Sequence, residues 1–327
     1  MRRKFFAPVL ASIVVAALAV ACNGAAGDAT GTGGAVTPST KYDRVILVSI
    51  DGLRGDAFVR SSVLASLIDR GAWTDSMRTV VPSMTVPGHL AMLTGRDVTT
   101  FGIRDNTFDA GTGATLALHA ASSVFDWAKT AGKHSKAVIG AILVPLSARQ
   151  QAQQFFVLDT LIGAQLDVDD VADQAIAVAT SASPPEILFV HFSDVDLAGH
   201  DLGWLSPALG GGEVLNPSWL AAVAHVDAAI GRLWTAIKPS VDAGTTALII
   251  TADHGGGKGE GCVAGDVALR QHCTSNPGDV FIPFIVVGKG IVPRRLAPNS
   301  RLTQVAATVA KLLGVGVPVA ADVPLNY

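Results

Sequence analysis

Acidic, histidine and hydroxyl side chains recur in this sequence at spacings that could hold metal ions beside a nucleophile. Asp51 stands directly after the apolar run VILVSI, Asp196 and His200 share the segment DLAGH, and Asp253 and His254 follow LIITA and precede three glycines. Thr85 lies in PSMTVPGHLAMLTG, and His272 in RQHCTSNPGDVFIPFIVVG. Oxygen donors mixed with imidazoles suit zinc, and a catalytic zinc takes about three protein ligands while leaving a position open. Asp51, Asp196, His200, Asp253, His254 and His272 therefore suffice for two ions. A pair of ions ~4 Å apart steadies the attacking and leaving oxygens of an in-line displacement. Coordination also activates a hydroxyl, which makes Thr85 a usable nucleophile. That chemistry is ester hydrolysis at phosphorus or sulfur.

The single signals differ in weight. An Asp after a strand is as often a helix cap as a ligand, so Asp51 alone decides nothing. Asp-x-x-Gly-His is more specific, because one helical turn sets carboxylate and imidazole on one side while Gly199 lets the backbone approach an ion.

Apolar runs must position these groups. From Arg44 onward short β-branched runs alternate with longer amphipathic ones: VILVSI, VLASLIDRG, AVIGAIL, EILFVHF, WLAAVAHVDAAIGRLWTAI, TALIIT and PFIVVG. This pattern predicts an α/β fold with a mainly parallel central sheet and helices on both faces. The ligands would then gather at the carboxyl edge of the sheet, where open α/β sheets bind ligands. The helix over Trp219 to Ile237 places Ala222, Val226, Ala229 and Leu233 at helical spacing for packing on the sheet. His225 and Asp227 within it read as helix-surface and helix-contact residues. A last helix near Thr303 to Leu313 is capped by Gly314. The stretch 111–185, with its acidic patch LDVDDVADQ, is less patterned and leaves room for a small insertion.

With 327 residues, 49% of them hydrophobic and 16% charged, the chain can bury the core of one large domain, expected over 41–327. The net charge of −3, with no Lys/Arg cluster interleaved with aromatics, excludes a nucleic-acid-binding module. An anionic small-molecule substrate must be held locally, by metal. Residues 1–21 read as an export signal, which places the protein in the periplasm or cell envelope. Cys22 follows Ala19-Val20-Ala21 and fits either a lipoprotein's acylated cysteine, which would anchor the chain to membrane, or the first residue after ordinary cleavage. Residues 22–40 are Gly, Ala, Ser and Thr-rich and form a flexible linker. Export permits a disulfide between Cys262 and Cys273, a short loop closure worth about 3 kcal/mol. Two free thiols, or a Cys metal ligand, are the alternatives.

Taken together, the strand-Asp-Gly opening, Thr-x-Pro-x-His with Leu-Thr-Gly, Asp-x-x-Gly-His, Asp-His-Gly and a late His before Ile-Pro-Phe resemble the alkaline phosphatase superfamily, and within it the type I phosphodiesterase/nucleotide pyrophosphatase branch. The resemblance runs from Val45 to about Val292 and implies an alkaline phosphatase-like three-layer sandwich. It also implies that Asp51, Asp253 and His254 hold one zinc and Asp196, His200 and His272 the other. Thr85 would bridge them and form a covalent phospho-threonine. His191 is the alternative to His272, and Asp194 would stand behind the ligands.

Departures sharpen the expectation. Sulfatases of the superfamily carry a Cys or Ser where Thr85 stands and an Arg where His89 stands, so sulfatase chemistry is not expected. The nucleotide pyrophosphatases place Asn after the motif proline, whereas Gly88 follows Pro87 here. Backbone N–H groups near Thr85, or Asn106, Arg96 or Arg104, could supply the missing donor. No extra cationic group marks a monoester site, which favours a phosphodiester over a phosphomonoester. Trp204, Trp219, Phe101 and Phe108 are candidates for a leaving-group pocket. Competing functions are a phosphomonoesterase of the same superfamily, a cell-envelope head-group transferase, a mutase of sugar phosphates and a non-catalytic binding lipoprotein.

Overall fold

A computed structural model describes residues 41–97, 99, 102–106, 122–140, 160–162, 166–262 and 267–327. The expected export signal, Cys22, the linker, Phe101 and Phe108 lie outside the described residues.

The apolar runs form the central sheet. Its strands are Arg44–Ile50 (β1), Gly71–Arg78 (β2), Ser135–Ile139 (β3), Thr160–Ile162 (β4), Ile187–Phe192 (β5), Thr246–Thr251 (β8), Phe281–Val287 (β9) and Arg294–Arg295 (β10), in the order β10-β2-β9-β8-β1-β5-β3-β4. A separate hairpin pairs Leu205–Pro207 (β6) with Glu213–Leu215 (β7). β8, β1, β5, β3 and β4 run parallel, and β9 alone opposes its neighbours β8 and β2. Every residue of β5 and β8 is buried, and all of β1 after Arg44, as expected of strands covered on both faces. The described parts of 111–185 supply β3, β4 and two helices to this same architecture.

The long amphipathic run forms the helix Pro217–Ala243, with Asn216 as its N-cap and Gly244 in the left-handed conformation closing it. It is long and apolar enough to cross a membrane, yet Trp219, Val223, Val226, Ile230, Leu233 and Ile237 are buried in the fold. Its apolar stripe meets the helices Ser62–Leu67, Val168–Ala179 and Asp194–Leu202 as well as β8. The helix Gln304–Leu313 ends at Gly314 with φ 66°, as the sequence predicts.

Asp227 turns the expected helix contact into a capping device. Ser61 provides no side-chain cap for the helix Ser62–Leu67. The buried carboxylate of Asp227 instead accepts from Val63 N and Leu64 N, both at 2.9 Å. Asp227→Ala leaves the buried Leu64 N–H and the part-buried Val63 N–H without an acceptor and is expected to cost about 2–3 kcal/mol. Urea unfolding is the check: the midpoint falls while turnover per folded molecule is kept. His225 lies on the surface, 3.5 Å from Asp169.

Candidate active site

The parallel strands deliver the candidate ligands at one edge. Asp51 follows β1, the helix Asp194–Leu202 with Asp196 and His200 follows β5, and Asp253 and His254 follow β8. Thr85 opens the helix Thr85–Thr94 beyond β2. His272 precedes its strand rather than following it. Because β9 is antiparallel to β8, the segment entering β9 reaches the edge that the other strands exit.

Asp51, Thr85, Asp196, Asp253, His254 and His272 are buried, and His200 is half-buried. His254 Nε2 lies 3.2 Å from Asp51 Oδ1, 3.2 Å from Asp253 Oδ2 and 3.9 Å from Asp196 Oδ1. Thr85 Oγ1 is 3.2 Å from the same nitrogen. His272 Nε2 stands 3.6 Å from Asp196 Oδ1 and 3.2 Å from His200 Nε2, which is 3.5 Å from Asp196 Oδ2. Donor atoms within 4.8 Å of one another group as Asp196, His200, His272 and as Asp51, Asp196, His254. Asp253 joins the second group through its contact with His254.

Two features make this set fit dications. Each imidazole donates its Nδ1 hydrogen to a backbone carbonyl: His254 to Gly255 O at 2.7 Å, His200 to Arg270 O at 2.9 Å and His272 to Ser83 O at 2.6 Å. That choice of tautomer turns all three Nε2 lone pairs inward. In addition Asp51 Oδ1, Asp196 Oδ1 and Asp253 Oδ2 are buried with no hydrogen bond, a costly arrangement unless a cation accepts them.

The electrostatics agree. Burial alone would raise the Asp51 carboxyl, but the hydrogen bond from His191 and the nearby charge of His254 hold it well below its ordinary range. Burial, followed by repulsion from Asp51, pushes Asp196 and Asp253 well above theirs. Burial disfavours a charged His254, yet Asp253, Asp51 and Asp196 together raise it to about 10. Burial and the His254 charge hold His272 well below its usual value, and burial lowers His200. Without metal the cluster thus keeps a proton on His254 that a ligand nitrogen must surrender. Metal binding at pH 7.5 is expected to release protons, and affinity to rise with pH until His254 titrates near 10. Calorimetry in buffers of different ionisation enthalpy reads this directly, and affinity falling with pH would contradict it.

Beneath the ligands lies a second polar layer. His191 Nε2 donates to Asp51 Oδ2 at 3.0 Å, so His191 backs Asp51 instead of replacing His272. His89, one helical turn after Thr85, donates from Nδ1 to Thr85 O at 2.9 Å and accepts at Nε2 from Ser49 Oγ at 2.9 Å. Burial and nearby His191 push His89 down to about 3, so it is neutral in this role. The sequence signals for this layer are the i+4 spacing from Thr85 to His89 and the position of Ser49 two residues before Asp51. Asp194 opens the Asp196 helix, with Oδ2 buried and unbonded, and is not among the ligand groupings of the described residues.

Some of the remaining sequence expectations hold and others need correction. An asparagine has no room at position 88, where a Cβ would meet Asp253 O at 2.8 Å and Asp253 Cβ at 3.0 Å. Asn106 stands beside Thr85 instead: its Oδ1 accepts from Val86 N at 3.0 Å. That bond fixes the amide orientation and leaves Nδ2 as the available donor. Arg96 follows Gly95 at the far end of the ten-residue nucleophile helix, about 15 Å from Thr85, and lines a separate cleft of about 790 Å³. Arg104 is exposed. Trp204 and Trp219 are both fully buried, with their indoles donating to Gly52 O at 2.8 Å and Val195 O at 2.9 Å, so neither lines a leaving-group pocket. Cys262 and Cys273 form a disulfide next to His272.

The comparisons with known proteins fit this geometry. The family described as type I phosphodiesterase / nucleotide pyrophosphatase matches residues 45–312. No curated protein matches in sequence. Among solved structures, murine ectonucleotide pyrophosphatase/phosphodiesterase 5 is similar with a TM-score of 0.62 at 16% identity, covering 84% of this chain and 96% of its own. A protein of the alkaline phosphatase superfamily from Vibrio parahaemolyticus gives 0.53 at 19% identity, with 84% and 67% covered. A sulfatase described as putative, from Bacteroides thetaiotaomicron, gives 0.61 at 12% identity, with 84% and 72% covered. At these identities the structures establish the shared fold, and the family match over most of the chain establishes membership. The chain belongs to the type I phosphodiesterase / nucleotide pyrophosphatase family, hydrolases of phosphoric esters, and shares its fold with proteins of the alkaline phosphatase superfamily.

Proposed function

We infer that this chain is an exported phosphodiesterase that uses two zinc ions and a covalent threonine intermediate. The observation that carries the reading is the convergence of three unbonded buried carboxylate oxygens and three inward Nε2 atoms beside Thr85 Oγ1. Asp51, Asp253 and His254 would hold one ion, and Asp196, His200 and His272 the other. Bound there, two dications supply Lewis-acid charge for the phosphoryl oxygens and lower the pKa of the threonine hydroxyl.

Thr85 Oγ1 then bonds to phosphorus as the bond to the leaving alkoxide breaks, giving a threonine phosphoryl ester. Water cleaves that ester, restoring the Thr85 hydroxyl and releasing a phosphate monoester. The Asn106 amide N–H is the donor for a non-bridging phosphoryl oxygen. His89 holds the first turn of the nucleophile helix through Thr85 O.

A diester is favoured by charge. Arg54, near the site, is committed to Asp56 at 2.9 and 2.8 Å and to Gly256 O at 2.6 Å, and among the described residues the ion-pair partners of Asp51, Asp196 and Asp253 are histidines. A monoester dianion would lack the additional cation it needs. An inactive threonine-to-alanine variant of the murine protein has been solved in complex with AMP, which agrees with a threonine-centred mechanism. Acid quench during turnover of a chromogenic phosphodiester, followed by peptide mass spectrometry, should find the phosphoryl adduct on Thr85. An adduct on another residue would overturn the assignment.

Export rests on residues 1–21 and is supported by the disulfide, which suits an oxidising compartment. The intact mass of the membrane-associated protein would distinguish acylation of Cys22 from simple cleavage.

A further inference from the structure

The geometry points to Trp204 as a positioning residue for the metal ligands, a wedge on which the ligand-bearing loops rest; this rests on the two-ion reading above. Trp204 is fully buried. A glycine of the helix Asp194–Leu202 and one of the loop after His254 lie against its indole. A Cβ at Gly199, one residue before His200, would meet the ring at 2.2 Å, and one at Gly256, two after His254, at 2.4 Å. At Gly257, where φ is +96°, a Cβ would meet Trp204 Cβ at 2.9 Å. Trp204 Nε1 donates to Gly52 O, beside Asp51, at 2.8 Å. The Trp204 backbone N–H donates to Leu269 O at 3.0 Å, in the segment leading to His272.

One side chain therefore touches the turn after Asp51, the helix that carries His200 and the loop after His254, and its backbone holds the approach to His272. The indole also stands edge-on to two imidazoles, with centroids 5.2 Å from His200 and 5.6 Å from His272. Gly199 of Asp-x-x-Gly-His and Gly256 of Asp-His-Gly-Gly-Gly thus have a steric cause. The indole occupies the space that their side chains would fill, and only hydrogen lets the helix Asp194–Leu202 and the loop after His254 close upon it. His200 and His272 belong to the same half of the site and lean on the ring directly, whereas Asp51 and Asp253 are set by the ends of β1 and β8. Loss of the indole should loosen the Asp196/His200/His272 half first.

The experiment is Co2+ titration of the metal-stripped full mature protein and of its Trp204→Leu and Trp204→Phe variants, read by visible d–d absorption, with diester turnover measured alongside. In Trp204→Leu the second equivalent is expected to bind roughly 10–100-fold more weakly with an altered spectrum, and the first to bind nearly as in the parent. Trp204→Phe keeps a ring beside the imidazoles but loses the bond to Gly52 O, so it should fall between the two. It carries the test if Trp204→Leu does not fold. Both Co2+ equivalents binding with parental affinity and spectrum, even at a lowered Tm, would overturn the proposal and leave Trp204 a packing residue. A parent protein that takes up fewer than two Co2+ ions would overturn the two-ion reading itself, and this inference with it.

Discussion

Thr85→Ala is expected to lower phosphodiester turnover at least about 10³-fold while the protein stays folded and keeps its metal, because the substitution removes the only atom that bonds to phosphorus. The fold should tolerate it. Thr85 is the first residue of its helix, and among the described residues the hydrogen-bond partner of its hydroxyl is His254 Nε2 at 3.2 Å. The carbonyl that receives the His89 hydrogen bond is backbone and survives the substitution. Metal content measured beside activity separates loss of the nucleophile from loss of the site. Undiminished turnover in Thr85→Ala would exclude the covalent route.

Asp253→Ala should act through the opposite signature, with metal content falling together with activity. The Asp253 carboxylate lies at the centre of the cluster: Oδ2 is 3.2 Å from His254 Nε2 and 3.4 Å from His89 Nδ1, and Oδ1 accepts from Gly52 N at 3.2 Å. Its removal takes away a ligand and also unties the turn after Asp51, so a loss of roughly 10³-fold or more in turnover is expected, beyond the 10–100-fold usual for an outer-shell partner. Asp253→Asn isolates the charge, since the amide oxygen can keep the Gly52 bond. It should fold as well as the parent, bind metal more weakly, and let the His254 imidazole fall from its raised value, because Asp253 is the largest charge that raises it. Full metal content in Asp253→Ala would remove Asp253 from the ligand set.

The sheet was legible because β1, β5 and β8 are buried on both faces, which leaves near-continuous β-branched runs in the sequence. Once those runs are strands, the residues that follow them must share an edge, so the convergence of Asp51, Asp196 and Asp253 could be read before any coordinates. The placement of His272 could be read from motif order but not from strand logic, because nothing local in PFIVVG reveals that β9 runs antiparallel. The glycines were harder. Gly88 reads as a missing asparagine, yet its cause is the Asp253 backbone 2.8 Å from where a Cβ would lie, a contact between residues far apart in the chain. Trp204 misleads for the same reason: an aromatic in a loop suggests a pocket wall, and only the folded arrangement of Gly52, Gly199 and Gly256 around it makes it a buried one. Asn106 is a short polar residue in an irregular segment, and its meaning comes from one hydrogen bond to Val86 N.

The most direct test of the whole account is the metal content of the purified mature protein, paired with hydrolysis of bis-p-nitrophenyl phosphate and p-nitrophenyl phosphate before and after chelation. The account predicts about two zinc ions per chain, faster release from the diester than from the monoester, and loss of both activities on chelation with recovery on adding zinc. Turnover that persists in fully metal-free protein would contradict it.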